Sequence, residues 1–148
     1  SVTTIGDKAF YNCDSLTSVT IGDSITTIGD WAFQECNNLT SVNIGDSVTE
    51  IGEGAFYWCT SLTSVNIPDS VTEIGEWAFY HCYSMTSVYC KATTPPALDG
   101  TGVFGYNGSG RKIYVPAGSV NAYKSAYGWS EYADAIVGYD FENGVVVE

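Results

Sequence analysis

Apolar residues recur along the first 92 residues at fixed intervals, and polar residues fill the same gaps each time. In the segments 16–21, 39–44, 62–67 and 85–90 (LTSVTI, LTSVNI, LTSVNI, MTSVYC) the first, fourth and sixth positions are apolar. Val19 and Ile21 alternate with Ser18 and Thr20, the period of a half-buried strand. Val and Ile therefore turn inward. The outward row is expected to be Ser18 and Thr20, Ser41 and Asn43, Ser64 and Asn66, Ser87 and Tyr89.

A turn composition, Gly-Asp or Pro-Asp at 22–23, 45–46 and 68–69, follows each strand. A second extended piece comes next, with Val2 and Ile5, Ile25 and Ile28, Val48 and Ile51, Val71 and Ile74 inward. Gly6-Asp7, Gly29-Asp30, Gly52-Glu53 and Gly75-Glu76 then precede Ala-Phe (9–10, 32–33, 55–56, 78–79). This order predicts a single helical turn whose free amides accept the carboxylate. Phe and the Cys three residues later face inward from it. The whole unit is 23 residues long and occurs four times, at 1–23, 24–46, 47–69 and 70–92. A fixed period of this length builds a solenoid, so a functional surface should be a ladder of equivalent positions.

The shared pattern IGxxAFxxCxxLTSVxIP resembles the BspA-type leucine-rich repeats of bacterial surface proteins. It runs through all four copies, with Met85 in place of Leu and Cys90 in place of Ile. The fold expected is a repeat solenoid of the α+β kind. It is a right-handed coil of leucine-rich repeats with short parallel strands and short helical turns, capped at its C-terminal end. The resemblance implies an extracellular or surface-attached protein; some members act in adhesion and bind host matrix proteins. It supplies no catalytic motif.

Beyond the four copies, residues 93–117 read as an atypical fifth repeat. Val103-Phe104 stands for Ala-Phe, and Ile113-Tyr114-Val115-Pro116 stands for V-N-I-P. Pro95-Pro96 prevents regular pairing locally, and Asn107 takes the cysteine position, where its amide can bond loop backbone. Residues 118–137 read as a helical cap over the open end. Ser119 caps a helix through about Tyr127, Val120, Tyr123 and Tyr127 fall at helical spacing, Trp129 lies just beyond, and a second short segment runs from Glu131 to Ile136. Residues 138–148 read as a tail, linker or onward strand. Ser1 opens on the first repeat position without an initiator Met, so the chain reads as a mature or truncated piece whose uncapped first coil is open to self-association.

Charge narrows the function. With 17 acidic and 5 basic residues the net charge is −12, which argues against nucleic acid and anionic lipid as partners. No run approaches the ~20 apolar residues of a membrane span. Cys13, Cys36, Cys59 and Cys82 stack at one repeat position, where parallel side chains disfavour the disulfide dihedral, so free core thiols are expected. No C-x-x-C pair is present and His81 is the single histidine, so no metal site and no cofactor are expected.

Two surfaces remain as candidates. The outward strand row is the first, because repeat proteins bind on extended faces. The second is a convex aromatic turn that holds Trp31, Tyr57, Trp58, Trp77 and Tyr80, with Tyr11 in the same ladder, His81 at the surface beside it, and Lys8, Gln34 and Gly54 interrupting it. Carboxylates also form columns: Asp23, Asp46 and Asp69; Asp7, Asp30, Glu53 and Glu76; Glu50 and Glu73. Turn and helix capping explains them better than calcium, because no dense D-x-D-x-D loop occurs. A hydrolytic triad lacks a G-x-S-x-G, and GYNGSG (105–110) lacks the lysine ending of a phosphate loop. The expectation is a non-catalytic binding or adhesion module that engages an extracellular protein or glycan. A structural spacer is the alternative, and a carbohydrate-active enzyme the weakest one.

Overall fold

The computed structural model describes residues 2–147 and winds them into stacked coils. Each 23-residue copy contributes one strand to each of two sheets. The first sheet takes β1 (Thr4–Ile5), β3 (Thr27–Ile28), β5 (Glu50–Ile51), β7 (Glu73–Ile74) and β9 (Ala97–Leu98), paired in parallel in that order. The second takes β2 (Ser18–Thr20), β4 (Ser41–Asn43), β6 (Ser64–Ile67), β8 (Ser87–Cys90), β10 (Lys112–Pro116), β11 (Ile136–Asp140) and β12 (Val145–Val147). Register advances by one repeat per strand, as in Thr27↔Glu50 and Val19↔Val42, so every side chain meets its own equivalent.

The third side departs from the helical turn that the Ala-Phe spacing predicts. Consecutive tight turns run there instead, closed by Ala9 N–H to Gly6 O, Tyr11 to Lys8 and Cys13 to Phe10 at 3.1–3.3 Å. The intervening amides donate to the next coil: Lys8 to Asp30 O, Phe10 to Ala32 O and Asn12 to Gln34 O at 2.8–2.9 Å. A helix would send every amide along its own chain, whereas the coil edge also needs partners for its buried backbone groups. Two left-handed residues per coil make the alternation fit, at Lys8, Trp31, Gly54, Trp77 and Gly102 and at Asn12, Glu35, Trp58, His81 and Tyr106. Each non-glycine residue there costs roughly 1–2 kcal/mol, which the extra coil-to-coil hydrogen bonds offset. The carboxylates cap a neighbour accordingly: Asp7 Oδ1 accepts from the Asp30 amide at 2.8 Å and Asp30 Oδ1 from the Glu53 amide at 2.9 Å.

Between the three sides lies a continuous column. Phe10, Phe33, Phe56, Phe79 and Phe104 stack with centroids 5.1–5.6 Å apart and planes within 6°. Cys90 pairs with the Tyr123 hydroxyl at 3.3 Å, while the three buried thiols at the repeated position donate to the coil before them, Cys36 to Phe10 O, Cys59 to Phe33 O and Cys82 to Phe56 O at 3.1–3.2 Å. The fifth coil keeps this bond with a different group, since Asn107 Nδ2 donates to Phe79 O at 2.9 Å. Pairing resumes directly after the two prolines, at Ala97 and Leu98.

The cap closes the column with aromatic rings. Trp129 is fully buried, 5.6 Å from Phe104, and its Nε1 donates to Pro96 O at 2.8 Å; Tyr132 meets Phe104 edge-on. Tyr123 donates its hydroxyl to Ala92 O at 2.6 Å. Ser119 does not cap the helix; its Oγ donates to Thr93 O at 2.8 Å and ties the cap to the coil beneath. The helix α1 (Val120–Ser125) stops short of Tyr127, which is 75% exposed, because Ala126 is extended and Gly128 sits at φ 80° to turn Trp129 inward. A 3-10 segment, Trp129–Ala135, follows.

Residues 138–147 take the strand alternative and not that of a tail or linker, with the end of one strand and a second strand joined by a turn at 141–144. β11 pairs in parallel with β10 and β12 folds back on β11. The Asp140 carboxylate accepts the Glu142 and Asn143 amides at 3.0 Å, and Gly144 supplies the left-handed turn residue at φ 70°. Among the described residues no helix is long and apolar enough to cross a membrane.

Candidate binding faces

All eight outward strand residues lie together on the seven-stranded sheet. Thr20, Asn43, Asn66 and Tyr89 form one row by direct register, which continues to Tyr114; Ser18 pairs with Ser41, and Ser64 with Ser87. Thr20, Asn43 and Asn66 are exposed, and Tyr89 is half-buried. Among the described residues none of these eight side chains makes a hydrogen bond within the chain. On other positions of the coil, Thr26, Thr40, Thr49 and Thr72 donate their hydroxyls to the preceding coil at 3.1–3.3 Å. The row also carries no charge; its nearest cation in register is Lys112, beside Ser87.

The row ends in a group of rings that reading the repeats alone does not assemble. Tyr89 stacks on Tyr114 with centroids 4.8 Å apart and planes 16° apart. Tyr139 meets both at 5.3 Å and is itself met by Phe141 at 4.9 Å. Tyr114 was within reach of sequence reasoning, since Ile113-Tyr114-Val115-Pro116 matches V-N-I-P and places Tyr114 at the Asn66 position. Tyr139 and Phe141 were not, because they reach the face only through the β11 pairing.

The predicted aromatic turn is one interlocked cluster. Trp31 lies 5.5 Å from Tyr57 and 6.2 Å from Trp77, and Tyr57 lies 5.7 Å from Tyr80 and 6.3 Å from Trp58. All five are half-buried. The apparent interruption at Gly54 is the seat of the Trp31 indole, for a Cβ there would sit 2.0 Å from the ring. His81 is packed rather than free at the surface, 4.7 Å from Trp58 and 4.9 Å from Tyr106. Its Nδ1 is buried without a partner, and burial lowers its pKa. Tyr83 and Tyr106 complete the outer edge and were missed because each occurs once at its repeat position.

Carboxylates gather on the side of the smaller sheet. Asp30, Glu50, Glu53, Glu76 and Asp99 line an open groove of about 270 Å³. Glu73 is hydrogen-bonded to Asp99, which raises its pKa, with smaller contributions from the Asp99 charge, slight burial and Glu50. Two of the buried thiols are chemically quiet: burial pushes Cys82 up to about 12 and Cys90 up to about 11.

Parallel sheets advancing one repeat per strand around a column of repeated Phe define a leucine-rich repeat solenoid. Residues 1–127 match the family model described as BspA type Leucine rich repeat region (6 copies), and the chain belongs to that family. It is similar in structure to a T. pallidum leucine rich repeat protein, with 31% identity, a TM-score of 0.71, and coverage of 79% of this chain and 54% of that one. A leucine-rich repeat protein from Bacteroides capillosus is 36% identical at a TM-score of 0.55, over 60% of this chain and 63% of the other. A leucine rich cell surface protein from Faecalibacterium prausnitzii is 29% identical at a TM-score of 0.67, over 82% of this chain and 32% of the other. The chain thus spans between 32% and 63% of the length of these three relatives. No curated protein sequence matches the chain.

Proposed function

We propose that this chain is a non-catalytic binding module, secreted or displayed on a bacterial surface, that engages an extracellular protein or glycan through the strand face. One observation carries the reading: the row Thr20, Asn43, Asn66, Tyr89 presents uncharged donors and acceptors that the fold itself does not use. Polar groups held in register on a rigid sheet lose little freedom on binding, which favours recognition there. The aromatic turn ranks second because its rings are occupied with one another. Membership of the BspA-type family and likeness to a cell surface protein support the location.

The test is a binding screen of the protein against immobilised extracellular-matrix proteins and arrayed glycans, repeated with Asn43→Ala/Asn66→Ala. Saturable binding that the double variant loses while remaining folded is expected. A folded protein that captures nothing is instead a spacer, and binding indifferent to the double variant moves the site off the strand face.

A further inference from the structure

We infer that the strand face is a subsite for a neutral glycan, with a pyranose ring stacked against Tyr89 and its hydroxyls over Asn66 and Asn43. This rests on the strand-face reading above and narrows its ligand class. The outward face of the sheet has a step at Tyr89. On one side of Tyr89 the ring of Tyr114 covers its face at 4.8 Å, and Tyr139 meets it edge-on at 5.3 Å. On the other side the registered neighbour is Asn66, followed by Asn43 and Thr20, all exposed and all too short to cover a ring. Tyr89 is therefore a wall, backed by two tyrosines, at the end of a floor of amides and a hydroxyl.

The dimensions fit a short saccharide. Strands lie about 4.8 Å apart, so the floor from Asn66 to Thr20 extends roughly 10 Å, the reach of two linked pyranose rings. The chemistry fits as well. A ring face carries negative quadrupole charge and attracts the polarised C–H groups on the apolar side of a sugar. Each Asn offers two donors and an acceptor, which matches hydroxyls that both give and take hydrogen bonds. Charge selects among glycans: the row is uncharged on a chain of net charge −12, which repels sulfated or carboxylated sugars and does nothing against neutral ones. A protein epitope is the poorer fit at Tyr89, because the apolar hollow that the row touches, lined by Phe10, Leu16 and Phe33, opens beside Thr20 at the opposite end of the floor. Backbone strand addition is closed at Asn43, Asn66 and Tyr89, since β4, β6 and β8 are paired on both edges, and along the row only the outer edge of β2, beyond Thr20, is open to it.

The repeat itself supplies variants that keep the fold. Tyr89→Asn installs the residue that the two preceding copies carry at this position, and Asn66→Tyr moves the wall one coil and fills the step. Both are screened on immobilised neutral polysaccharides (a β-glucan, a galactan and a mannan) at up to millimolar sugar, alongside matrix proteins before and after enzymatic deglycosylation. Saturable binding to a neutral glycan that weakens about tenfold or more in both variants is expected, with both still folded and Tyr89→Asn lowering the melting point only by the loss of its stack on Tyr114. Glycan binding indifferent to both overturns the inference. So does a partner found only among proteins whose capture survives deglycosylation; in that case loss of capture in Asn43→Ala/Asn66→Ala keeps the strand face and discards the sugar. Absence of any ligand overturns the sugar and the strand face together.

Discussion

The turn face and the strand face are built by the same repeat with the same coil-to-coil offset, yet they use their side chains in opposite ways. On the turn face the backbone and the large rings are committed. Amides alternate between closing a turn and bonding the next coil, carboxylates cap the following coil, and indoles rest on glycine seats. On the strand face the backbone ladder alone satisfies the coil, and the outward row is left over. The contrast teaches that in a ladder architecture residue type does not identify the binding surface. Tryptophans that would ordinarily mark an interface here join coils, while plain Ser, Thr and Asn remain available.

Substitutions on the core column and the turn face test this difference. Phe56→Ala cuts the ring column at its centre, with stacked neighbours 5.2 Å away on both sides, and should cost about 3–5 kcal/mol in denaturant unfolding. Gly54→Ala places a methyl 2.0 Å from the Trp31 ring at a left-handed position and should cost about 1–3 kcal/mol in thermal unfolding. A neutral result there would mean that Trp31 is free to move and that the turn face is less committed than its packing implies. Asn107→Ala removes the donor to Phe79 O and should cost about 1–2 kcal/mol, whereas Asn107→Cys, which restores the thiol of the other coils, should cost less.

The smallest effect is electrostatic. The raised pKa of Glu73 means that the native state holds its proton more tightly than the unfolded chain. The sign follows: this group favours folding most below the unfolded carboxylate range, and the advantage is lost as pH rises through the raised native value. Asp99→Asn removes the hydrogen-bonded carboxylate and should raise the unfolding midpoint at pH 7, with the difference fading toward pH 4. The gain should be within about 0.5 kcal/mol, because exposed charges are screened. A gain that persists unchanged at low pH would show that the pair does not share a proton.

Much of this was legible in the residues. Period-2 alternation at Ser18, Val19, Thr20 and Ile21 places the strand row, since a one-residue slip would expose Val and bury Ser. The turn face was misread because Ala9, Phe10 and Cys13 have spacing that suits a helix as well as tandem turns. What decides between them is the bond from each alternate amide to the next coil, a partner 22 residues away, as for Lys8 and Asp30. Ser119 looks like a cap by composition, but a carbonyl at Thr93 claims its hydroxyl. The strand Val145–Val147 has no alternation to announce it and exists through pairing with β11, which also carries Tyr139 to Tyr89.

The exposed amides of the strand row, Asn43 and Asn66, bind and do not stabilise, which Asn43→Ala/Asn66→Ala tests when melting and partner capture are followed side by side. A change in unfolding free energy within about 0.5 kcal/mol per site and a loss of capture are expected. Retained capture, or a large loss of stability with capture falling in step, would contradict this role.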